Sequence, residues 1–242
     1  MSYDFAELDY QQTPLGEISL RRRAEPRLDG KILYEVKLGD EFLMSSLFTE
    51  AEEQLSTIGL KMLGDKNLDV VVGGLGLGYT AWAALKYPNV ESLIVIDVMK
   101  PVIDWHQREL VPLGQELNDD PRCTLIHADF FELATSDCSG FYNNDSKKLA
   151  HAILLDIDHS PSHWLNPENE SFYSPAGLQS LAQKLHEDGL FGMWSNDPPE
   201  TEFIQLLEQV FDTVSSEVIS FPNPYSGAES SNTIYLARKT RR

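Results

Sequence analysis

Apolar residues along this chain fall into two rhythms, and the alternation between them predicts its architecture. Short continuous runs, Val70-Val71-Val72, Leu93-Ile94-Val95-Ile96, Leu125-Ile126, Ile153-Leu154-Leu155 and Leu190-Phe191, are bounded by polar or turn residues, the pattern of strands buried on both faces. Between them apolar residues recur at three- and four-residue spacing: Leu55, Ile58 and Met62; Val102 and Trp105; Leu178, Leu181 and Leu185; Phe203, Leu206, Leu207, Val210 and Phe211. Strands that alternate with amphipathic helices call for a mostly parallel sheet covered on both sides, an α/β fold. Residues 218–221 and 233–237 are two further apolar segments with only Pro222 to Asn232 between them, which predicts a terminal hairpin.

Residues 1–48 follow another pattern and are read as a separate N-terminal unit, leaving residues 49–242 as the main domain. Segments 16–20, 31–38 and 42–44 look like strands, with Asp29-Gly30 and Gly39-Asp40 as turns, so a small antiparallel meander of three strands is expected. Arg21-Arg22-Arg23 reads as a solvated strand end. Thr49 with Glu52 three residues on has the spacing of a capping box, and the helix it starts stops at Gly64. A later helix starts at Ser174 and Pro175 and ends at Gly189. Residues 137–148 are polar and form a surface loop. Residues 162–173 lack periodicity and carry Trp164, Phe172 and Tyr173, so they form a long loop at the ligand-binding edge.

The first strand of the main domain runs into Gly73-Gly74-Leu75-Gly76-Leu77-Gly78, and then into the helical Tyr79-Thr80-Ala81-Trp82. Glycines there let the backbone approach a ligand, whose oxygens would meet free N–H groups. The second strand ends in Asp97, about twenty residues on, where a ribose-binding acid belongs. Asp129 follows the third strand and Asp156 the fourth, and in an open α/β sheet those strand ends line one crevice. The pattern is that of a nucleoside site in which Asp97 takes the ribose and Asp129 an exocyclic amine of the base. Two other readings stay open at this level: a turn whose glycines serve packing, with Asp129 as a helix N-cap, and an NAD site built on Gly76, Gly78 and Ala81.

Charge narrows the partners. The chain of 242 residues carries a formal charge of −19, which argues against nucleic acid or an anionic membrane and tolerates a cationic small molecule. Cys123 and Cys138 fit neither a disulfide framework nor a metal cluster and read as reduced thiols of a cytoplasmic protein. Asp156, Asp158, His159 and His163 invite a metal, but Pro161 breaks the helix that would put both histidines on one face, so no metal is expected. Asp158 and His159 are read instead as substrate-orienting groups and Trp164 and Trp194 as pocket wall. Asn196-Asp197-Pro198-Pro199 reads as a helix start.

Gly74-Leu75-Gly76-Leu77-Gly78, Val90-Glu91-Ser92 before the second strand, the acids Asp97, Asp129 and Asp156, and the N-terminal meander together resemble the spermidine synthases, polyamine aminopropyltransferases on the S-adenosylmethionine-dependent methyltransferase fold. The resemblance implies a Rossmann-like, seven-stranded, mostly parallel sheet with an antiparallel last strand, behind a meander that helps the family form dimers. It implies S-adenosylmethionine or its decarboxylated form as donor and a small amine as acceptor. Gly74, Gly76, Leu77, Gly78, Asp97 and Asp129 would hold the nucleoside, and Asp156 would stand as the catalytic acid that accepts the proton of the attacking amine. Asp158, His159 and Trp164 would face the acceptor. In the family's Gly-Gly-Gly-Asp-Gly-Gly turn the acid faces the donor's amine, and Leu77 stands in its place; from that exchange, intact S-adenosylmethionine is expected to bind at least as well as the decarboxylated form. A methyltransferase, or a non-catalytic nucleoside-binding protein, would fit the same residues.

Overall fold

A computed structural model of the chain describes residues 5–136, 140–142 and 148–239. Four antiparallel strands come first, β1 (Phe5–Thr13), β2 (Gly16–Glu25), β3 (Lys31–Leu38) and β4 (Glu41–Ser45), paired in chain order. The meander therefore has one strand more than the hydrophobic pattern predicts. Strand β1 sits at an edge with its faces half solvated, so its sequence, FAELDYQQT, carries no run of apolar residues to announce it. Nor is the arginine triplet a solvated end: Arg23, within β2, donates through Nε to Glu35 at 2.7 Å and through a terminal nitrogen to Tyr225 Oη at 3.0 Å, and is ion-paired with Glu25 at 2.5 Å.

Helix α1 (Glu50–Lys61) leads into the second sheet. There β5 (Leu68–Gly73), α2 (Tyr79–Leu85), β6 (Val90–Asp97), α3 (Lys100–Gln107), α4 (Gly114–Asp119), β7 (Cys123–His127), α5 (Phe130–Thr135) and β8 (Ala150–Leu155) follow one another. The chain ends with α6 (Pro175–Ala182), β9 (Leu185–Ser195), α7 (Thr201–Glu208) and the hairpin β10 (Thr213–Asn223) and β11 (Ala228–Arg238). The strand order is β10-β11-β9-β8-β5-β6-β7; β5 to β9 are parallel, and β11 runs antiparallel between β9 and β10. The seven-stranded, mostly parallel sheet with an antiparallel last strand is the one expected. Helix α6 is shorter than predicted: Leu185 pairs with Ala150 and so belongs to β9, not to the helix that Leu178 and Leu181 define. The loop expected over 137–148, with Cys138, lies largely outside the described residues. Among the described residues no helix is long and apolar enough to cross a membrane.

Side chains alternate across the sheet and divide the interior into two cores. Val70, Val72, Leu154 and Leu236 point to the face covered by α1 to α4, and the apolar side of the first sheet, with Ile18, Leu20 and Val36, joins that core. Val71, Ile153, Leu155 and Tyr235 point to the face covered by α5 to α7, where Phe130, Phe131, Phe172 and Phe191 meet. Trp105 of α3 is fully buried in the first core, and its indole N–H donates to Asp9 of β1 at 2.6 Å, tying the edge strand to the main sheet. Trp105→Ala should cost about 3–5 kcal/mol, read as a lowered urea midpoint, while Trp105→Phe, which loses mainly the hydrogen bond, should cost about 1–2 kcal/mol.

Candidate functional site

The glycine segment after β5 is shaped by what surrounds it. Asp156 N–H donates to the Gly73 carbonyl at 2.8 Å, which brings the end of β8 against the turn. A Cβ on Gly74, which has a φ of +95°, would collide with the Asp156 carbonyl oxygen. His106 of α3 supports the turn from behind through Nε2, which donates to the Gly76 carbonyl at 3.0 Å; burial lowers its pKa to about 4 and keeps it neutral.

The turn does not offer free N–H groups to a ligand, as the sequence suggested it would. Gly74 N–H donates to Ile96 O at 2.9 Å, Leu75 N–H to Asp97 Oδ2 at 2.9 Å, Leu77 N–H to the Met44 sulfur at 3.0 Å and Gly78 N–H to Leu75 O at 2.7 Å. What the turn does is hold the carboxylate of Asp97. That group also accepts from Met99 N–H at 2.7 Å, and although its burial pushes its pKa up, the N–H groups of Leu75, Met99 and Gly76 favour its charged form.

Above the strand ends lies a cavity of about 860 Å³. Gly74, Gly76, Asp97, Asp129 and Asp156 form part of its floor, with Val98, Met99, Phe130 and Phe131 as apolar wall. Residues of the first sheet, from Leu15 to Met44, and Phe221 and Asn232 of the terminal hairpin supply the roof. Tyr225 Oη donates to Glu25 at 2.7 Å while accepting from Arg23, so the two halves of the roof are joined to each other. Thus the three acids expected at the strand ends share one cavity. Asp129 does two things at once: Oδ1 accepts from Phe131 and Glu132 N–H at 2.8 and 3.1 Å and caps α5, while the side chain also faces the cavity.

The other predicted residues divide. His159 lines the cavity and joins Glu41 of the roof through Nε2 at 2.6 Å. Asp158 does not face it: fully buried, it accepts from Leu165 N–H at 2.8 Å, Asn169 Nδ2 at 3.1 Å and Tyr173 Oη at 2.7 Å, and so fixes the 162–173 segment. Trp164 stacks on Tyr173 and donates to Pro161 O at 2.8 Å, again within that segment, whereas Trp194 is wall. Leu77 and Gly78 are buried behind the turn, Leu77 within the first core.

One residue was hidden by its local pattern. The capping box of Thr49 and Glu52 does not form; Glu50 accepts from Thr49 N–H at 3.0 Å and Glu53 from the Thr49 hydroxyl at 3.1 Å, and Glu52 turns into the cavity at 8% exposure. It joins Asp156, whose Oδ2 accepts from Thr80 Oγ1 at 2.7 Å. Burial raises the pKa of Asp156 to about 6, and that of Glu52 rises well above the ordinary range, through burial first and the charge of Asp156 second. Asn196 and Asn232 are further lining residues without a sequence signal; Asn232 Nδ2 donates to Asn196 Oδ1 at 3.2 Å.

The sequence model for the spermine/spermidine synthase domain matches residues 51–228. The chain belongs to this family. Among curated relatives, putrescine N-methyltransferase 4 of Nicotiana tabacum is 26% identical over 121 residues, 50% of this chain and 28% of that protein. The polyamine aminopropyltransferase of Pyrobaculum islandicum is 26% identical over 122 residues, 50% of this chain and 39% of that protein. The chain thus matches well under half of the length of either. The fold of the family extends further: a crystal structure of spermidine synthase from Thermotoga maritima superposes with a TM-score of 0.72 at 20% identity, covering 96% of this chain and 72% of the other. A spermidine synthase complex with the transition-state analogue AdoDATO gives 0.73 at 20% identity, covering 96% and 73%.

The desolvated carboxyl of Asp156 makes stability depend on pH. The pKa of Asp156 is higher folded than its ordinary 3.8, so the group's favourable contribution is complete below about pH 4 and is lost as pH rises through about 6. In the ligand-free protein Asp156→Asn should therefore raise stability at pH 8 by about 1–3 kcal/mol and by much less at pH 4–5, as measured by urea unfolding at the two values.

Proposed function

We propose that the chain is a transferase that binds an S-adenosyl sulfonium nucleoside and moves its aminopropyl group to a small amine, releasing 5′-methylthioadenosine. The observation that carries this reading is the cavity's charge: Glu41, Glu52, Asp97, Asp129 and Asp156 line it, and no lysine or arginine does among the described residues. Such a site favours ligands with positive centres, which a sulfonium donor and an amine acceptor both have.

In this reading Asp97, fixed by the turn, accepts from the ribose hydroxyls, and Asp129 uses the oxygen not engaged with α5 to accept from the adenine amine. Phe130, Phe131, Val98 and Met99 give the base an apolar wall. The neutral amine attacks the carbon beside the sulfonium; the carbon–sulfur bond breaks, and its electron pair leaves on sulfur as a neutral thioether. Asp156 takes the proton of the new ammonium. With a pKa of about 6 it is ionised near neutral pH yet basic enough to accept, the compromise general-base catalysis requires. His159, at the cavity wall, orients the acceptor, while Asp158 and Trp164 act indirectly by shaping the 162–173 segment.

Methyl transfer to an amine is a second reading, favoured by Leu77 and by the similarity to the putrescine N-methyltransferases. On either reading residues 1–48 serve as the roof unit, the protein works in the cytoplasm, and it forms a homodimer through the first sheet, where Phe5, Tyr10, Ile32 and Phe42 are exposed.

Three measurements test this. Asp97→Asn should weaken methylthioadenosine binding roughly ten- to a hundredfold in a calorimetric titration, the worth of a charge-assisted bond to hydroxyls; unchanged affinity would remove Asp97 from the site. With labelled donors and an amine panel, the nucleoside product distinguishes the chemistries: methylthioadenosine for aminopropyl transfer, S-adenosylhomocysteine for methyl transfer. Asp156→Asn should lower turnover by about 10²–10⁴ with nucleoside affinity little changed, and wild-type kcat/KM should fall as pH drops through about 6.

A further inference from the structure

We infer that His106 and Met44 are positioning residues for the nucleoside: they hold the two ends of the peptide unit joining Gly76 to Leu77 and so fix the turn on which Asp97 depends. The inference rests on the nucleoside reading of Asp97 above and adds the two residues that set the turn.

The grip comes from opposite sides. His106 of α3 donates through Nε2 to the Gly76 carbonyl at 3.0 Å, and the other end of the same unit, the Leu77 N–H, donates to the Met44 sulfur at 3.0 Å. Both partners come close enough to require glycine. A Cβ on Gly76 would collide with the Met44 sulfur, and one on Gly78 would lie 2.9 Å from His106 Cε1. The glycines that the sequence seems to offer to a ligand thus make room for a methionine and a histidine of the protein itself.

His106 is kept for that one bond. Its ring is fully buried, and with the proton on Nε2 the lone pair of Nδ1 meets no donor among the described residues. An apolar side chain would fill the place without burying a bare nitrogen, so what the imidazole adds is the Nε2–H at the Gly76 carbonyl. Asn118 Nδ2 donates to the His106 carbonyl at 2.7 Å and fixes the residue in turn. Met44 belongs to β4 of the roof and lines the cavity, so the turn is braced by the main domain on one side and by the first sheet on the other.

With the unit fixed, the Gly76 N–H joins those of Leu75 and Met99 in favouring the charged carboxylate of Asp97 against its burial. Releasing either grip frees the turn and removes part of that support. A ribose hydroxyl donates best to the charged carboxylate, so nucleoside affinity then becomes more sensitive to acid.

Calorimetric titration of wild type, His106→Leu, His106→Gln and Met44→Leu with methylthioadenosine at pH 8 and pH 5 tests this. His106 is neutral at both values. His127 of β7, opposite Asp97 in the sheet, and Glu41, Glu52, Asp129 and Asp156 of the cavity are common to all four proteins, so the ratio of wild-type to variant affinity reads the support of Asp97. The two Leu variants keep apolar bulk and lose one grip each; they should bind about threefold more weakly than wild type at pH 8 and about tenfold more weakly at pH 5. His106→Gln, which carries an amide N–H, should recover part of the loss. Met44→Leu keeps the test valid should the His106 variants fail to fold. Ratios near one at both pH values would overturn the inference while the nucleoside site stands, and a loss of equal size at both, the mark of a merely structural role, would overturn it equally. If wild type binds no methylthioadenosine, the nucleoside reading itself fails and this inference with it.

Discussion

Gly73 and Gly74 are where the molecule has no room to spare. The end of β8 passes so close to them that Asp156 bonds to Gly73 through the backbone and a Cβ on Gly74 would strike the Asp156 carbonyl. Phe130 presses on Gly73 from the other face. This contact brings the ends of β5 and β8 together and sets where Asp156 can stand relative to Asp97. The chemistry proposed for the cavity is therefore a property of two backbones that approach without side chains between them.

Around that contact, electrostatics take over. Desolvation raises the pKa of both half-buried acids; at Asp97 the N–H groups of Leu75, Met99 and Gly76 oppose it, whereas at Asp156 the Thr80 hydroxyl does so. Two aspartates at equivalent strand ends thus differ in how many donors support their charge, and this difference suits one to holding hydroxyls and the other to taking a proton. Glu52 shares the cavity, and the charge of Asp156 adds to burial in raising its pKa.

The floor of the site was legible in the sequence because it is made of backbone rules. Continuous apolar runs ending in glycine or aspartate mark parallel strands and their C-terminal ends, and such ends converge whatever the loops do. The roof was legible only in part: the half-buried positions of β1 include Asp9, Gln11 and Thr13, so no apolar period marks it, and Asn196, Asn232 and Phe221 come to the cavity through long-range pairing that no local spacing records. Glu52 was concealed by a genuine local signal, since its position suits a capping box and only the competition of Glu50 and Glu53 for Thr49 releases it. Asp158 and Trp164 misled in the opposite direction. Their types suit substrate contact, but a buried acid that finds three donors within its own loop is satisfied by the fold.

The clasp of Arg23, Glu25 and Tyr225 has a meaning for how the molecule assembles. Tyr225 and Glu25 lie 200 residues apart, and the hairpin that carries Tyr225 is the last paired element described. The strands under the cavity pair over shorter stretches, Val70 with Leu93 and with Ala152, and loop-closure entropy favours contacts between nearer neighbours in sequence. Chain entropy therefore opposes the clasp more than the pairings of the floor, and it is this long-range contact that joins the two parts of the roof over the crevice.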